Sequence, residues 1–570
     1  MCGIAGIIGT HSKSSQVIDK MLLEQQHRGP DATHKWIGDN VVLGHNRLSI
    51  IDLSSEADQP MISNDGRYVI VFNGEIYNYQ ELKENLSNYN FKTSSDTEVI
   101  LALYQEKGKE MLNDLNGMFS FVIWDTIKHK AFIARDRFGV KPFYYSFQDG
   151  NLYFASEIKT LIAAGVKKQK NKKVWANYFC YGTYGLPNET FWEGVNQLPG
   201  GYYFEYDERN KTINPIKWYD FVGNISNTPQ LPEYELKSKY LELLKDSIKL
   251  RFRADVPVGF NISGGLDSSA LLALVNKQFP NNSSIEAFTF YTNDERYDEL
   301  PWVELMLEKT KNPLNKCLLK VEEIPSLINS ISWFQDEPFG GFPTLAYQQI
   351  FKKAREKGIL VLLDGQGMDE AWAGYDYYQT KTGFTIQGTM TSPVRPEVLN
   401  EELQKFAEKE IYETPFDNDL QNLQYRDLFY TKIPRSLRFN DRISMMHGTE
   451  LREPFLDYRL VELAFTQKES VKIKNGVSKW MLREIVKDLL GNEVALAPKR
   501  PLQTPQREWI ASNLNQFMNE EIYSFAKNEF INYDKVISLW NNYQNGNQEN
   551  SFYVWQWINA TSIFKASPNF

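Results

Sequence analysis

Cysteine and histidine are both scarce in this sequence of 570 residues, which contains three cysteines and six histidines. Cys2, Cys180 and Cys317 are far apart, odd in number and in no Cys-x-x-Cys pair, which argues against a disulfide framework and a structural zinc site. No His-x-x-x-His spacing occurs, which argues against a zinc hydrolase. We therefore expect a protein of a reducing compartment, the cytoplasm.

Long apolar runs and a positive net charge are also absent. No stretch of 18 apolar residues occurs, and the N-terminus lacks the basic and apolar regions of a signal peptide. We therefore expect no membrane segment, and a functional N-terminus that is the encoded one without Met1. The formal net charge of -9 argues against nucleic acid or an anionic membrane as the main partner. The expected partners are small molecules, and a homodimer is a possible assembly.

Three regions of the sequence differ in their periodicity. Residues 1–206 read as short strands with two amphipathic helices near 79–88 and 96–107, which predicts antiparallel sheets with helices outside. Residues 207–235 are polar, contain three prolines and are expected to be a linker. From 236 to 570 helices alternate with buried strands, and the last part is mostly helical. This alternation predicts a parallel sheet covered on both faces, with a site at the carboxyl ends of its strands.

A glycine-rich turn follows the first strand of the third region, where residues 256–269 read VPVGFNISGGLDSS. Glycines let backbone N–H groups approach an anion, and the helix N-terminus adds partial positive charge, so this turn is suited to hold phosphate. The lysine and the spacing of a Walker A loop are missing. A plain strand-to-helix turn capped by Ser and Asp is the alternative. The SGG-x-DS string resembles the pyrophosphate-binding loop of ATP-pyrophosphatase enzymes, which adenylate a substrate and release pyrophosphate.

A second acidic turn follows a continuous apolar strand, in ILVLLDGQGMDEAWAGYDYY at residues 359–378. If Asp267 and Asp369 lie at neighbouring strand ends, their carboxylates can share a Mg²⁺ that bridges the triphosphate. This ion takes carboxylates together with substrate phosphates. The alternative is that Asp369 and Glu370 only cap a helix.

The first residues, MCGIAGIIGT, place a cysteine directly after the initiator methionine. Removal of Met1 gives Cys2 a free α-amine, and the reference pKa of such an amine, roughly 7.7–8.0, suits a general base at neutral pH. Taken alone, Cys2 is also consistent with a small apolar residue that begins a strand.

Four strings further along supply groups that can bind and hydrolyse glutamine. Arg47 can bind the α-carboxylate with two hydrogen bonds, and Glu75 and Asp96 can pair with the α-ammonium. Asn73 and the N–H of Gly74 can stabilise the oxyanion that forms when the thiolate attacks the side-chain amide. Each string is weak alone, since Asn-Gly usually indicates only a hairpin turn. The four are HRGPD (27–31), HNRLSI (45–50), VFNGEIYN (71–78) and SSDTEVI (94–100).

These strings resemble the class II, N-terminal nucleophile glutamine amidotransferase domain, and from Met1 to about 510 the chain resembles the glutamine-hydrolysing asparagine synthetase family. The resemblance is carried by MCGIAGI, HRGPD, NGEIYN, RDRFGVKPFYY, ASEIK, SGGLDSS, DGQGMDE and RISMMHGTELREPFLDYRLVELAF. It implies a mixed α/β and α+β chain, with an αββα sandwich followed by a doubly wound, parallel-sheet ATP-pyrophosphatase domain whose C-terminal part is helical. It also implies that ammonia from glutamine passes internally to a synthetase domain, where ATP activates a carboxylate as its adenylate.

The resemblance also assigns residues to two sites. In the glutaminase site Cys2 is the nucleophile and Asn73 and Gly74 form the oxyanion hole, while the residues around glutamine are Arg47, Leu48, Ile50, Asn73, Gly74, Glu75 and Asp96. The residues around ATP are Asn261, Ser263, Gly264, Gly265, Asp267, Ser268, Phe290, Asp364, Gly365 and Lys479, with Mg²⁺ on Asp267 and Asp369. Three residues face the acceptor: Gln366, Asp369 and Glu370. For Lys479 the alternative is a solvated helix lysine.

The sequence departs from the family pattern on the acceptor side. The family loop usually reads SGEGSDE, and here Gln366 replaces the glutamate that the family links to formation or use of the acyl-adenylate. A neutral amide cannot act as a base. GGFPT (340–344) stands where one branch has an IRAS string with an arginine. Aspartate is the default acceptor; a hexuronic acid in surface-polysaccharide synthesis and a catalytically silent sensing paralogue are the alternatives.

Overall fold

The computed structural model of the protein describes residues 1–9, 14–279, 285–380, 392–497, 503–546, 548 and 550–566. Twelve strands lie in its described residues up to 217: β1 (Gly3–Ile8), β2 (Ala32–Gly38), β3 (Val41–Arg47), β4 (Met61–Ile62), β5 (Tyr68–Ile76), β6 (Gly117–Asp125), β7 (Lys130–Arg135), β8 (Tyr144–Gln148), β9 (Asn151–Ala155), β10 (Asn196–Gln197), β11 (Tyr202–Asp207) and β12 (Ile216–Lys217). Five more follow: β13 (Val258–Asn261), β14 (Ala287–Tyr291), β15 (Leu314–Leu318), β16 (Val361–Leu363) and β17 (Glu450–Arg452).

The α-helices are few in the first region and dominate the rest of the chain. Up to residue 227 they are α1 (Ser14–Glu24), α2 (Tyr79–Glu84), α3 (Asp96–Lys107), α4 (Ile158–Ala163), α5 (Lys172–Tyr181) and α6 (Phe221–Asn227). Those up to residue 380 are α7 (Glu233–Arg251), α8 (Leu266–Gln278), α9 (Leu300–Thr310), α10 (Ile324–Gln335), α11 (Phe342–Glu356), α12 (Met368–Ala371) and α13 (Asp376–Thr380). Those of the C-terminal part are α14 (Glu401–Gln404), α15 (Asp419–Phe429), α16 (Lys432–Met445), α17 (Tyr458–Thr466), α18 (Glu469–Lys472), α19 (Trp480–Leu490), α20 (Asn492–Ala495), α21 (Gln506–Ala511), α22 (Asn515–Ala526), α23 (Tyr533–Gln544) and α24 (Phe552–Lys565).

Short 3₁₀ helices complete the structure at Gln26–Arg28, Ser55–Ala57, Gly108–Asn113, Val321–Glu323, Pro396–Val398 and Pro454–Leu456. Of the helices in the described ranges, none combines the length and the apolar character that crossing a bilayer requires.

Strands β1–β12 form two antiparallel sheets that pack face to face. One sheet has the spatial order β10–β8–β9–β1–β3–β2 and the other β12–β11–β7–β6–β5–β4. Apolar residues of both sheets, among them Ile4, Leu43, Val71 and Val122, are buried together between them. Helices α1 and α4 pack on the first sheet and α3 on the second, which gives the expected αββα sandwich. Because β1 pairs with β3 and β9, it lies inside its sheet and brings Cys2 to the end of a buried strand.

Strands β13–β17 form one parallel sheet with the order β15–β14–β13–β16–β17. From β13 the chain moves outward to β14 and β15, and it then returns to place β16 on the other side of β13. The strand order therefore reverses between β13 and β16, and the carboxyl ends of these two strands lead into the SGGLDSS and DGQGMDE loops. The expected doubly wound domain is therefore present. Open α/β sheets bind ligands at such a reversal, and the site expected here stays a prediction.

The segment 207–235, expected to be a linker, contains β12 and α6 and is packed against the rest of the protein. Phe221 of α6 is fully buried, and its ring centroid lies 5.0 Å from that of Phe465 and 5.1 Å from that of Phe429. The polar composition of the segment hides these aromatic anchors, because a few large rings suffice to hold a short stretch in place. The domain limits at 206 and 236 stay predictions.

A buried ion-pair cluster joins the sandwich to the helical part of the protein. Arg28 is fully buried, and its Nη1 lies 2.9 Å from Glu157 Oε1 and 2.9 Å from Asp441 Oδ2 of α16. Its Nε donates to the carbonyl oxygen of Cys2 at 3.1 Å. One guanidinium thus fixes the Cys2 backbone to a helix more than 400 positions away in the sequence.

Arg28→Met is expected to lower the free energy of unfolding by about 3–5 kcal/mol, because it leaves Asp441 as a buried carboxylate without its partner. Urea denaturation followed by tryptophan fluorescence measures the change. The control is Lys35→Met, which removes a partly exposed pair with Asp19 and is expected to cost less than about 1 kcal/mol. Equal stability of the two variants would contradict the role given to Arg28.

Candidate active site

The side chain of Cys2 is buried immediately before β1. Its backbone N–H donates to Asn73 Oδ1 at 3.0 Å, and its thiol lies 3.9 Å from the carbonyl oxygen of Leu48. Burial raises the pKa of the thiol above its usual value. The chain described here retains Met1, whose ammonium pairs with Glu450 at 2.8 Å, so the nitrogen of Cys2 is a peptide amide. Removal of Met1 would convert this amide into the amine that the expected mechanism needs.

Asn73 and Gly74, the two residues expected to form the oxyanion hole, are consecutive on β5. Among the described residues, the buried Nδ2 of Asn73 has no hydrogen-bond acceptor, so it is available to a ligand. A Cβ atom at Gly74 would lie 2.1 Å from the carbonyl oxygen of Met118, so no larger residue fits there. The structure therefore brings Cys2, Asn73 and Gly74 together, and their assignment as nucleophile and oxyanion hole stays a prediction.

Three of the residues expected to bind glutamine lie at and just beyond the end of β3: Arg47, Leu48 and Ile50. Leu48 and Ile50 are buried beside Met1 in one apolar cluster. Arg47 donates from Nη1 to Asp58 Oδ1 and to the carbonyl oxygen of Ser54, at 2.6 Å each. Its contact with a substrate carboxylate stays a prediction, and this hydrogen bonding fixes the guanidinium that would make it.

Glu75 and Asp96, the acids expected to bind glutamine, are both buried. Burial, and then the nearby Glu450, raise the pKa of Glu75 well above its usual value. Burial also raises the pKa of Asp96 to about 6, although its Oδ2 accepts the N–H of Ile76 at 2.8 Å. A cation would stabilise the ionised form of both groups. The α-ammonium of glutamine is such a cation, and this pairing stays a prediction.

A second cavity, of about 230 Å³, lies at the reversal of the strand order. Eight of the ten residues expected around ATP line it: Ser263, Gly264, Gly265, Asp267, Ser268, Asp364, Gly365 and Lys479. The backbone of Gly264 has φ of +68° and a Cβ there would lie 2.9 Å from that of Trp302, so this turn requires glycine. The other two residues stand further back: Asn261 ends β13, and Phe290 packs edge-on at 5.9 Å against Tyr347, which lines the cavity.

Lys479 connects the two acidic residues of this cavity. It is 5% exposed, so it is not a solvated helix lysine, and its Nζ lies 2.5 Å from Asp267 Oδ2 and 2.7 Å from Asp369 Oδ1. Burial alone would lower the pKa of Lys479, but the two carboxylates raise it above the usual value. The amine is therefore a fixed positive charge at the mouth of the glycine-rich turn.

The same geometry tests whether Mg²⁺ fits. Asp267 and Asp369 both reach one ammonium nitrogen, so their oxygens are close enough to share a cation. One or two carboxylates together with substrate phosphates suffice for Mg²⁺. The described residues contain no cluster of three or more Cys, His, Asp or Glu side chains that could hold a metal by themselves. The residues fit an ion that arrives with the nucleotide, and Mg²⁺ on these two aspartates stays a prediction.

A larger cavity of about 760 Å³ opens from the nucleotide cavity. Four residues line both cavities: Gln366, Asp369, Glu370 and Tyr375. The side chain of Gln366 is fixed, since its Oε1 accepts from Ser436 Oγ of α16 at 3.0 Å. Glu370 accepts from the hydroxyl of Tyr375 at 2.7 Å, and burial followed by the charge of Asp369 raises its pKa to about 7. All three predicted acceptor-side residues therefore lie where the two cavities meet.

Comparison with known protein families shows to which family the chain belongs. The model of a glutamine amidotransferase domain matches residues 1–219, and the asparagine synthase model matches residues 239–566. The chain belongs to the asparagine synthase family. It is a glutamine-hydrolysing carbon–nitrogen ligase with an ATP-using synthetase domain.

Relatives of this asparagine synthase family member match along most of their length. It is 28% identical to "asparagine synthetase (glutamine-hydrolyzing) 1" of Bacillus subtilis, over 97% of this chain and 95% of that one. It is 36% identical to a "putative asparagine synthetase (glutamine-hydrolyzing) 2" of Methanocaldococcus jannaschii, over 66% of this chain and 76% of that one. Among solved structures it resembles the glutamine phosphoribosylpyrophosphate amidotransferase of Bacillus subtilis, at 16% identity and a TM-score of 0.30, over 55% of this chain and 65% of that one.

Sequence reasoning missed two features of this ligase. A Cβ at Gly374 would lie 1.9 Å from Asp369 Oδ1, so Asp369 packs directly on the Gly374 backbone. The Ala-Gly step after DEAW is the signal that could have indicated this close approach. Arg435 and Ser436 line the larger cavity from α16, 70 positions beyond Gln366, and no local signal predicts that packing.

Proposed function

We propose that this ligase makes asparagine from aspartate, with glutamine as the nitrogen source and with AMP, pyrophosphate and glutamate as the other products. The observation that carries the proposal is that the cavity of about 760 Å³ adjoins the cavity of about 230 Å³. The two share four lining residues: Gln366, Asp369, Glu370 and Tyr375. Adenylation requires that a carboxylate reach the α-phosphate of ATP in a fixed geometry, and such positioning supplies much of the catalysis. A carboxylate in the larger cavity and a nucleotide in the smaller one would meet at these four residues.

The first half of the proposed reaction takes place at Cys2. Once Met1 is removed, the α-amine of Cys2 takes the proton of its own thiol, and the thiolate attacks the side-chain carbonyl of glutamine. Asn73 Nδ2 and the N–H of Gly74 stabilise the oxyanion. The α-ammonium of Cys2 then gives its proton to the amide nitrogen, and ammonia leaves as the C–N bond breaks. Water then cleaves the thioester to glutamate and restores the thiol.

The second half takes place at the sheet reversal. An oxygen of the aspartate β-carboxylate attacks the α-phosphorus of ATP, and the bond to the β-phosphate breaks with release of pyrophosphate. Ammonia attacks the acyl carbon, loses a proton, and displaces AMP. Lys479 and the N–H groups of the SGG turn would hold the departing pyrophosphate. Mg²⁺, held by Asp267 and Asp369, would neutralise phosphate charge when it is bound.

Two observations bear on the acceptor. Arg435 lines the larger cavity and, among the described residues, has no carboxylate partner, which supports an acceptor with a second anionic group such as the α-carboxylate of aspartate. The second candidate is a hexuronic acid. A volume of about 760 Å³ is ample for a sugar, and the neutral Gln366 puts no negative charge beside it.

Incubation of the purified protein with ATP, glutamine and either aspartate or glucuronic acid tests the proposal. We expect asparagine and AMP in equal amounts with aspartate, and no AMP above background with glucuronic acid. Mass spectrometry of the amide and chromatography of AMP measure both, and omission of ATP is the control. AMP release with glucuronic acid and without aspartate would favour the second candidate. Glutamine hydrolysis without AMP from either acid would contradict both.

The location and the assembly are further parts of the proposal. Cys2, Cys180 and Cys317 are all free and buried, which is consistent with the reducing cytoplasm. A homodimer stays a possible assembly, and size-exclusion chromatography with light scattering would measure it.

A further inference from the structure

Helix α16 carries three arginines at helical spacing, and they differ in how their charges are neutralised. Arg438 Nη1 lies 2.7 Å from Glu337 Oε2, and Arg442 Nη1 lies 3.1 Å from Glu157 Oε1. Arg435 stands one turn before Arg438 and is half-buried. Within the described part of the chain, no carboxylate lies within ion-pair distance of its guanidinium. Of these three arginines, it alone is left with an uncompensated positive charge.

Asp369 and Glu370 line the cavity of about 760 Å³ together with Arg435, but Asp369 is bound to Lys479 and Glu370 to the hydroxyl of Tyr375. Arg435 also lines a smaller adjoining cavity of about 150 Å³, together with Glu189 and Glu410. Glu189 pairs with Lys173 at 2.9 Å, and Glu410 accepts from Thr183 Oγ1 at 2.9 Å. A half-buried charge loses part of its hydration, and a ligand of opposite charge would restore that stabilisation.

Arg435 lies at the cavity proposed for the acceptor and not at the cavity expected to bind ATP. It lines the cavity of about 760 Å³ and is absent from the wall of the ATP cavity. The next residue, Ser436, donates to Gln366 at the junction of the two cavities. The guanidinium carbon of Arg435 lies 5.4 Å from the ring centroid of Tyr184, which restricts its side chain.

Lys432 and Arg507 are the other two cationic residues among those that line this cavity in the described part of the chain. Gly340 and Gly341 line the same cavity, at the GGFPT stretch where one branch of the family has an arginine. A Cβ at Gly340 would lie 2.7 Å from Thr344 Oγ1, and one at Gly341 would lie 2.2 Å from Gln506 Oε1, so neither position has room for a side chain. A cation for the acceptor must therefore come from another element, as Arg435 does.

We infer that Arg435 binds a second anionic group of the acceptor, in addition to the carboxylate that ATP activates. The inference rests on the proposed function and deepens it by naming the substrate class: an acid with two anionic groups. Guanidinium binds carboxylate and phosphate equally through paired N–H donors. The second anion is the α-carboxylate if aspartate is the acceptor, and a phosphate if the acceptor is a phosphorylated hexuronic acid.

Two pairs of acids, whose members differ in one anionic group, distinguish a carboxylate from a phosphate as the group that Arg435 binds. Aspartate is compared with β-alanine, which lacks only the α-carboxylate, and glucuronic acid 1-phosphate is compared with glucuronic acid. The variants are Arg435→Gln and Arg435→Lys, and Arg296→Gln, a 62% exposed arginine paired with Asp294, is the control. The measured quantity is kcat/KM for the acid, from AMP release with saturating ATP and ammonium chloride. Glutamine hydrolysis by each variant reports on its folding.

For the dianionic acid that serves as acceptor, Arg435→Gln is expected to lower kcat/KM about 10- to 100-fold, mainly through KM. For its monoanionic counterpart the change is expected to be less than about threefold, because the group that Arg435 binds is missing. Arg435→Lys should recover part of the loss, and Arg296→Gln and glutamine hydrolysis should be unchanged.

Equal losses for both members of a pair would overturn the inference, since they would mean a structural role for Arg435. No loss for either would overturn it as well. If the wild type forms the amide and Arg435→Gln prefers the acid with the second anionic group as strongly as the wild type does, the role given to Arg435 is refuted. The proposed function would not be affected by that result. Absence of amide from all four acids in the wild type would refute the proposed function and the inference with it.

Discussion

Cys2→Ala is expected to abolish glutamine-dependent amide synthesis and to leave synthesis from free ammonia near the wild-type rate. The thiol is the only group of this side chain that can attack an amide, so its removal should lower glutamine hydrolysis more than about 10³-fold. The contact that positions the residue is made by the backbone N–H to Asn73, which alanine keeps. The pocket should therefore stay intact around a site that has lost its nucleophile.

Glutamate release and amide formation, each measured with glutamine or with ammonium chloride, test this expectation. Cys180→Ala, which alters a buried cysteine of α5, is the control and should keep both activities. Loss of the ammonia-dependent reaction together with the glutamine-dependent one would mean that the first domain is not a separable source of ammonia.

The same protein samples can be used to measure whether Met1 has been removed. In the chain that retains it, Met1 is buried, packs with Leu48 and Ile50, and pairs through its ammonium with Glu450. The nitrogen of Cys2 is then an amide, which cannot accept the proton of the thiol. We expect intact-mass measurement of the active protein to find Met1 removed, and protein that retains Met1 to lack glutaminase activity.

The glutaminase site was largely predictable from the sequence because its parts lie on a few short strands. Arg47 ends β3, which pairs with β1, whereas Asn73 and Gly74 lie on β5 of the facing sheet and reach Cys2 through the packing of the two sheets. The nucleotide cavity was predictable for a similar reason, since parallel strands end at one edge. Asn261 and Phe290 are the exceptions, because neither lines the cavity; Phe290 instead packs against Tyr347, which does.

The acceptor side was less predictable because its wall comes from tertiary packing. Arg435 and Ser436 belong to α16, and nothing in the periodicity of that helix indicates which loop it contacts. The same limit explains the segment 207–235, where Phe221 packs on Phe429 and Phe465, far away in the sequence. Helix packing brings together residues that are far apart in the sequence, so no local spacing of residues predicts these contacts.

Lys479→Met is expected to lower AMP formation about 10²- to 10³-fold, with ATP, aspartate and ammonia all present, while glutamine hydrolysis continues. The buried ammonium is the cation between Asp267 and Asp369 at the mouth of the glycine-rich turn. Its removal leaves two carboxylates that repel each other and the triphosphate. Because these side chains are only 19% and 23% exposed, water screens their charges incompletely. Methionine keeps the length and apolar stem of lysine, so the packing around Gly374 should change little.

Lys479→Arg separates charge from shape, because it keeps a cation near both aspartates but cannot occupy the same compact position. We expect this variant to unfold like the wild type and still to form AMP slowly. Lys474→Met removes a partly exposed lysine of the same segment, paired with Glu233, and should keep full activity. Measurement of AMP and of thermal unfolding on all three variants distinguishes the possibilities. Full AMP formation by Lys479→Met would mean that the lysine only balances two aspartates in the resting protein and takes no part in holding the nucleotide.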